Sequence, residues 1–535
     1  MYVIKFLALW SVAALLLSKV VHHFVAKRRH AALSRNLGCQ SAPAYTPGDL
    51  FGIYNLYLMI KAAKKHFLPE LMIERMKIVS QRENRLVTTF RTTAAGSVTI
   101  FTCEPRNIQA ILATQFKDFE FGHIRNKSFR PMLGHGIFAT DGKQWEHSRA
   151  MLRPQFARDQ INDLELEETH VQKLFKVLPH SDNSGWTDIL DIQPLFFRLT
   201  IDTATEFLFD ESVESQLGTV ADLSTNNNAL QTIDEKAFST AFDRAQQYIF
   251  RASRMGVAYR LGHNIDSRRT IKIVHKFVDY YVQLALSAES REKVLEEGSG
   301  SRKQKYVFLD AISQLTRNPV ELRDQLLNIL LAGRDTRASL LSWTFLVLSQ
   351  RPDIFAKLRN AVLNDFGTYE NPRNITFATL KDCAYLQYTL NESLRLYAVV
   401  LVNERAAAVD TTLPLGGGPD GNSPIFILKG TRVNYSVHAM HKRKDLWGED
   451  AEEFRPERWE SRKHGWEYLP FNGGPRICLG QQFALTEAGY VVVRLLQKFD
   501  ALEGFADAEI GYRMTLTCAP AHGVKLRFRA AKAQK

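Results

Sequence analysis

Pro319 to Gln350 is apolar around most of its circumference, with Leu322, Leu326, Leu327, Ile329 to Leu331, Leu340, Leu341, Phe345, Leu346 and Leu348 spread over every face of a helix. This all-round pattern predicts a helix through the middle of a large core, roughly 45 Å long at ~1.5 Å per residue. Apolar residues at helical spacing recur from Thr187 to Leu286, including Phe196 to Phe209, and again from Phe483 through Ala488, Val491, Val492 and Leu495 to Phe499. Tyr57 to Ser80 reads as one further helix with a single apolar face, set against the membrane or the core. Leu86 to Cys103 instead shows the β-branched alternation of strands around Val87 to Phe90 and Val98 to Phe101, which predicts a small sheet. The glycine-rich run Leu415 to Gly421 precedes strand-like Ile425 to Leu428, so it reads as a hairpin connection and not as a nucleotide loop. The fold class expected is mainly α with a small β-rich subdomain. The charged run Ala288 to Lys303 reads as a loop, because the chemistry on its two sides has to meet at one site.

At the N-terminus thirteen uncharged residues, Phe6 to Ser18, lie between Lys5 and Lys19, followed by the basic run Lys27 to His30. A bilayer core asks for ~20 residues, but lysines at both ends can snorkel, so Tyr2 to Val25 is long enough to cross. The basic block after the apolar run, with no small-x-small site beside it, argues against a cleaved signal peptide and places the body of the protein on the cytoplasmic side. A helix lying in the interface is the alternative. The organisation expected is a membrane anchor over 1–26, a basic and proline-containing linker over 27–50, and a catalytic domain over 51–535. Endoplasmic reticulum membrane is the location this implies.

The formal charge of +12 calls for anionic partners, either headgroups or an acidic protein surface. The basic residues are dispersed and no nucleic-acid motif accompanies them, so nucleic acid is not expected. Five scattered cysteines, an odd number, exclude a disulfide framework and point to a reducing compartment. Sequons stand at Asn126, Asn374, Asn391 and Asn434, and a glycan on Asn391 would sit beside a glutamate expected to be buried.

Candidate chemistry concentrates at Phe471 to Gly480. Cys478 lies between glycines just ahead of a helical pattern, where the positive end of the helix favours an ionised sulfur. Gly473, Gly474 and Gly480 supply bare backbone for a flat cofactor, and Arg476 can meet its anionic group. Zinc and iron–sulfur sites need several thiolates or histidines, whereas no second cysteine is near and His464 stands alone. A lone thiolate suits haem, whose porphyrin fills four positions on iron. A second polar island, Ala332 to Thr336, interrupts the long apolar helix. The Thr336 hydroxyl can bond the Ala332 carbonyl and open the helix enough for a water, with Asp335 beside it.

The order Phe-x-x-Gly-x-Arg-x-Cys-x-Gly over Phe471 to Gly480 resembles the haem signature of the cytochrome P-450 monooxygenases, and every fixed position is met. Ala332 to Thr336 resembles the family's oxygen-activation motif, in which Asp335 and Thr336 are catalytic and guide protons. The resemblance implies haem b with Cys478 as axial ligand and Phe471 and Gly480 framing the loop. It also implies Trp145, Arg149, Arg405 and Arg476 toward the propionates, and Glu392, Arg395 and Arg458 as a buried structural triad. The segment holding Phe116, Phe119, Phe121, Phe129 and Phe138 would be a mobile loop over the substrate pocket.

Leu413 to Gly421 and Phe196 to Phe209 look like the fungal membrane-bound branch that oxidises n-alkanes and fatty acids. Hydroxylation of an apolar substrate at or near a chain terminus is therefore expected, with a sterol or secondary metabolite as the alternative. A haem-thiolate isomerase or a haem sensor is the alternative of another class. No flavin or dinucleotide motif is present, so electrons are expected from NADPH-cytochrome P-450 reductase, with cytochrome b5 as a further partner. Ala398 and Leu401 stand where the family commonly has prolines, and are expected to line the pocket.

Overall fold

Asn318, Pro319 and Glu321 open the longest helix of the protein for a local reason. The Asn318 Oδ1 accepts from the backbone N–H of Val320 (3.0 Å) and Glu321 (3.3 Å), and proline sits where its missing N–H costs nothing. In the computed structural model this helix runs unbroken from Pro319–Leu348, thirty residues, as the apolar pattern predicts. The structure describes residues 28–45, 49, 51–156, 164–179, 184–217, 235–287, 307–505 and 509–532. The anchor expected over 1–26, five residues of the linker and the whole charged run Ala288 to Lys303 lie outside them. Among the described residues no helix is long and apolar enough to cross a membrane.

Numbering the longer helices in chain order gives α1 Ile53–Lys64, α2 Leu68–Arg82, α3 Gly122–Leu133, α4 Gly142–Leu152, α5 Glu165–Val177, α6 Ile192–Phe209, α7 Glu235–Arg254 and α8 Ile265–Leu286. They continue with α9 Pro319–Leu348, α10 Pro352–Phe366, α11 Ala384–Leu396 and α12 Gln481–Lys498. The strands are β1 Thr89–Ala94, β2 Ser97–Thr102, β3 Phe119–Glu120, β4 Leu190–Asp191, β5 Val402–Ala407, β6 Thr411–Gly417, β7 Ser423–Ile427 and β8 Arg432–Ser436. The last four are β9 Phe499–Gly504, β10 Tyr512–Met514, β11 Cys518–Pro520 and β12 Lys525–Ala530.

The single helix expected over Tyr57 to Ser80 is two, α1 and α2. His66 takes a left-handed φ of 56°, which no helix propagates, and Pro69 at the start of α2 favours a new first turn. The apolar period runs through the break, which is why it gave no warning.

The described residues cluster in two units. The first holds Leu71–Glu120, Glu404–Ser436 and the described residues up to Met59. Its five-stranded sheet has the order β1-β2-β8-β5-β3. The β1–β2 hairpin turns on Ala95 and Gly96, both at positive φ, the geometry that matches strand twist. The glycine-rich run closes the β6–β7 hairpin, with a register shift between Leu413 and Gly417.

The second unit, Ile60–Glu70, Phe121–Asn403 and Val437–Lys535, carries most of the helices. Helix α9 is its axis, packed by α6, α8, α11 and α12, with the β10–β11 hairpin laid against it. The aromatic segment expected to be mobile is clamped at its end. Asp324 and Asn328 of α9 accept from the backbone N–H of His135 (2.8 Å) and Phe138 (3.0 Å), and the Asn328 amide donates to the Leu133 carbonyl at 2.9 Å.

Candidate active site

Cys478 closes a loop whose ends are joined by its own backbone N–H, which donates to the Phe471 carbonyl at 3.0 Å. Two glycines are required by geometry: Gly474 adopts φ 65°, and a Cβ on Gly473 would lie 2.9 Å from the Trp466 ring. Packing of the loop on Trp466 is therefore one reason for glycine at 473. Cys478 is exposed, yet protein surrounds it closely enough that burial pushes its thiol above the ordinary value, as for a side chain facing an interior space. The Gly480 N–H and the Arg149 charge act in the other direction. The helix end expected to ionise this sulfur does not prevail over desolvation, and a bound metal would have to take the proton's place.

Helix α4 holds Trp145 and Arg149 one turn apart. Arg149 donates from Nη1 to the Ile477 carbonyl at 3.1 Å. The Arg476 guanidinium lies 4.3 Å from the Trp145 ring centre and 4.1 Å from that of Phe121, and its Nη2 donates to Asp141 Oδ1 at 2.8 Å. Trp145, Arg149, Arg476, Phe471, Cys478 and Gly480 are thus brought together. Arg405 belongs to the first unit, where it is buried, donates to the Glu404 carbonyl at 2.8 Å and lies over Tyr435.

On α9, every residue from Asp324 to Ser349 is buried except Ala332, Gly333 and Thr336. These three share one face, and a Cβ built on Gly333 would meet only the Arg337 Nη2, at 3.7 Å. Thr336 Oγ1 donates to the Ala332 carbonyl at 2.6 Å while the helix continues through it unbroken. Asp335 is buried on another face, and burial raises its carboxyl to about 6 against the opposing pull of Arg334. Helix α4 links both halves of the site, because Gln325 of α9 donates to Ser148 at 2.9 Å while Arg149 and Trp145 hold the cysteine loop. Open space at the helix face, one accessible sulfur and two guanidiniums beside the loop fit a flat, iron-bearing, carboxylated ring.

Glu392, Arg395 and Arg458 are in mutual contact. Glu392 accepts from Arg395 at 2.9 and 2.7 Å, from Arg458 Nε at 3.3 Å, from the Arg455 N–H at 3.0 Å and from Trp459 Nε1 at 3.0 Å. Tyr468 OH bonds Asn391 at 3.0 Å, tying this cluster to the strand of chain that enters the loop.

Sequence reasoning missed three buried networks. Arg337 is paired with Glu487 of α12 and lies 3.4 Å from Glu167 of α5. Arg334 is paired with Asp243 of α7. His441 is wholly buried. Its Nε2 accepts from the Leu469 N–H and its Nδ1 faces the Arg395 carbonyl, both at 3.0 Å. The available signal was a charge inside an apolar helical pattern, as at Arg337. Ala398 and Leu401 are buried, while neighbouring Val400 and Val402 keep some accessible surface.

The cytochrome P450 family model matches residues 69–508. The chain belongs to the cytochrome P450 family. A relative named cytochrome P450 monooxygenase g430, from a Fusarium species, is 51% identical over 97% of this chain and 90% of its own. Cytochrome P450 52A12 of Debaryomyces hansenii is 47% identical over 88% of each chain, and cytochrome P450 52A5 of Candida maltosa 45% over 91% and 90%. The solved cytochrome P450DA heme domain superposes with a TM-score of 0.70 at 20% identity, covering 92% of this chain and 97% of that one. The fold is therefore the P450 fold, and the chain is a P450 monooxygenase with haem on a cysteine thiolate as its cofactor, taking dioxygen, an apolar substrate and electrons from a redox partner.

Proposed function

We propose that this P450 hydroxylates a long apolar chain, an n-alkane or fatty acid, at or near its terminus. The observation that carries the reading is the opening of the buried stretch of α9, from Asp324 onward, at Ala332, Gly333 and Thr336 alone, on a helix tied through α4 to a loop with a single accessible sulfur. Haem bound there supplies the redox chemistry that activates dioxygen toward a C–H bond. Cys478 would hold its iron through the thiolate sulfur. Arg149, Arg476 and Trp145 would hold its carboxylates, and Arg405 is assigned to the same task on sequence grounds. Thr336 holds a hydroxyl at the open face, and Asp335 beside it in sequence has a carboxyl raised to about 6. Glu392, Arg395 and Arg458 brace the segments behind the loop. The surrounding apolar walls select the carbon by position and exclude water.

The charge of +12 and the exposed Phe51, Ile53, Tyr54 and Tyr57 support a body held at a membrane by the N-terminal segment, with NADPH-cytochrome P-450 reductase and cytochrome b5 docking on a basic face. The endoplasmic reticulum is the membrane assigned.

The test is an optical titration of the purified protein with n-alkanes, fatty acids and sterols, followed by product analysis with reductase, NADPH and oxygen. Long-chain alkanes or acids are expected to displace the iron-bound water and to give terminal alcohols. Cys478→Ser is expected to lose the thiolate-type spectrum of the carbon monoxide complex. A response confined to sterols, or product formed without oxygen, refutes the reading.

A further inference from the structure

Arg334 stands between two carboxylates and hydrogen-bonds one of them, Asp243, more closely than it approaches the other. Its side chain is 4% exposed, and its Nη1 is paired with Oδ1 of Asp243, a residue of α7 whose side chain is 51% exposed. The same nitrogen is 3.4 Å from Oδ1 of Asp335, too poorly aligned to bond, and that oxygen accepts no hydrogen bond among the described residues. The rings of Phe197 and Phe242 flank the guanidinium at 5.6 and 5.7 Å, so little water screens the competition.

We propose that Asp243 is a positioning residue for proton delivery. By holding the Arg334 guanidinium on its own carboxylate it leaves Asp335 able to carry a proton to Thr336. This rests on the monooxygenase site described above and deepens it. Arg334 keeps its proton throughout, since a guanidinium does not titrate in proteins. The proton leaves the Asp335 carboxyl for the hydroxyl or water at the open face of α9, and is replaced from solvent. Without the charge on Asp243, the nearest carboxylate to Arg334 is Asp335, which would then be fixed as an anion and could not donate.

The other groups facing Asp335 do not reproduce this control. Gln246 of α7 offers a neutral amide, Arg513 of β10 is exposed, and Asp202 of α6 acts on Arg334. Burial and the Asp243 charge both raise the Asp335 carboxyl, to about 6, while Arg334 lowers it. Loss of the Asp243 charge removes one raising influence and strengthens the lowering one.

The experiment uses the haem-loaded full chain and three variants, Asp243→Asn, Asp243→Glu and Asp335→Asn. The infrared carboxylic-acid band that disappears in Asp335→Asn is titrated with pH, and the ratio of alcohol to hydrogen peroxide is measured over the same range. Asp243→Asn is expected to move the band midpoint down by about one pH unit or more, with the product ratio following it, and Asp243→Glu to restore both. An unmoved or raised midpoint overturns the proposal, as does a shifted midpoint with an unchanged product ratio. The carbon monoxide spectrum identifies a variant that has lost its fold. Should no substrate be hydroxylated at all, the infrared titration still reads the competition for Arg334, so that failure is distinct from failure of the proposed function.

Discussion

Replacing Glu392 removes the acceptor of five hydrogen bonds in a place without water. Its side chain and that of Arg395 have no exposed surface, and Arg458 is 3% exposed. Glu392→Ala strands two guanidiniums that retain only backbone carbonyls and, for Arg458, Asp450 as partners. Breaking a buried ion pair by removing one member costs about 3–5 kcal/mol. The Trp459 indole N–H and the Arg455 amide lose their acceptor as well, about 1–3 kcal/mol each. The sum, about 5–11 kcal/mol, is comparable with the ~5–15 kcal/mol that holds a domain together. Glu392→Ala is therefore expected to yield no haem-loaded protein. Glu392→Gln keeps the shape and one acceptor oxygen, and should survive with a loss of about 3–5 kcal/mol by denaturant titration, together with a carbon monoxide spectrum that decays as the loop loosens. The control is Glu457→Gln, whose partner Lys357 is exposed and which should change little. A Glu392→Gln protein within about 1 kcal/mol of wild type would refute the argument that this cluster is sealed from solvent.

Two further outcomes follow from the buried groups. Arg337→Met alone leaves Glu487 without its cation and should cost about 3–5 kcal/mol, while Arg337→Met combined with Glu487→Leu should recover most of it; a double-mutant cycle by denaturant unfolding reads the coupling, and strict additivity would exclude the pair. Burial, aided by nearby cations, lowers His438 to about 4 and His441 to about 3, so the unfolded chain binds more protons between these values and the ordinary 6.5. Stability contributed by the two histidines is thus lost as pH falls below 6.5. The raised carboxyl of Asp335, at about 6 against an ordinary 3.8, returns part of it over the same window. The net expectation is a loss of about 2 kcal/mol between about pH 7 and pH 5, reduced in His438→Gln and enlarged in Asp335→Asn.

The loop at Cys478 and the island at Thr336 were legible because each is written within ten residues, and a short stretch carries its own geometry. The long helix was legible from hydrophobic content alone. What escaped was pairing at a distance. Arg337 and Glu487 are 150 residues apart and Arg334 and Asp243 are 91 apart, and nothing near either arginine names its partner. The break at His66 escaped for the opposite reason, since a single left-handed residue leaves the apolar period on both sides intact. Arg405 shows a third limit: its sequence position suggests a role toward the cofactor, while the contacts described for it, with the Glu404 carbonyl and Tyr435, are of its own unit.

The missed charges bear on why the legible site works. A helix as uniformly apolar as α9 has almost no preferred rotation in an apolar core, because turning it exchanges one aliphatic face for another. Its face matters nonetheless, since from Asp324 onward only Ala332, Gly333 and Thr336 open onto space. Arg334 is held by Asp243 of α7 and Arg337 by Glu487 of α12 and Glu167 of α5, so three helices each grip a charge of α9. Burying such ions gains little stability over aliphatic replacements, but a rotated helix would leave both arginines without their carboxylates. The ion pairs thus act as a register. Because α12 begins three residues after Cys478, the pair between Arg337 and Glu487 orients the threonine face relative to the cysteine loop itself.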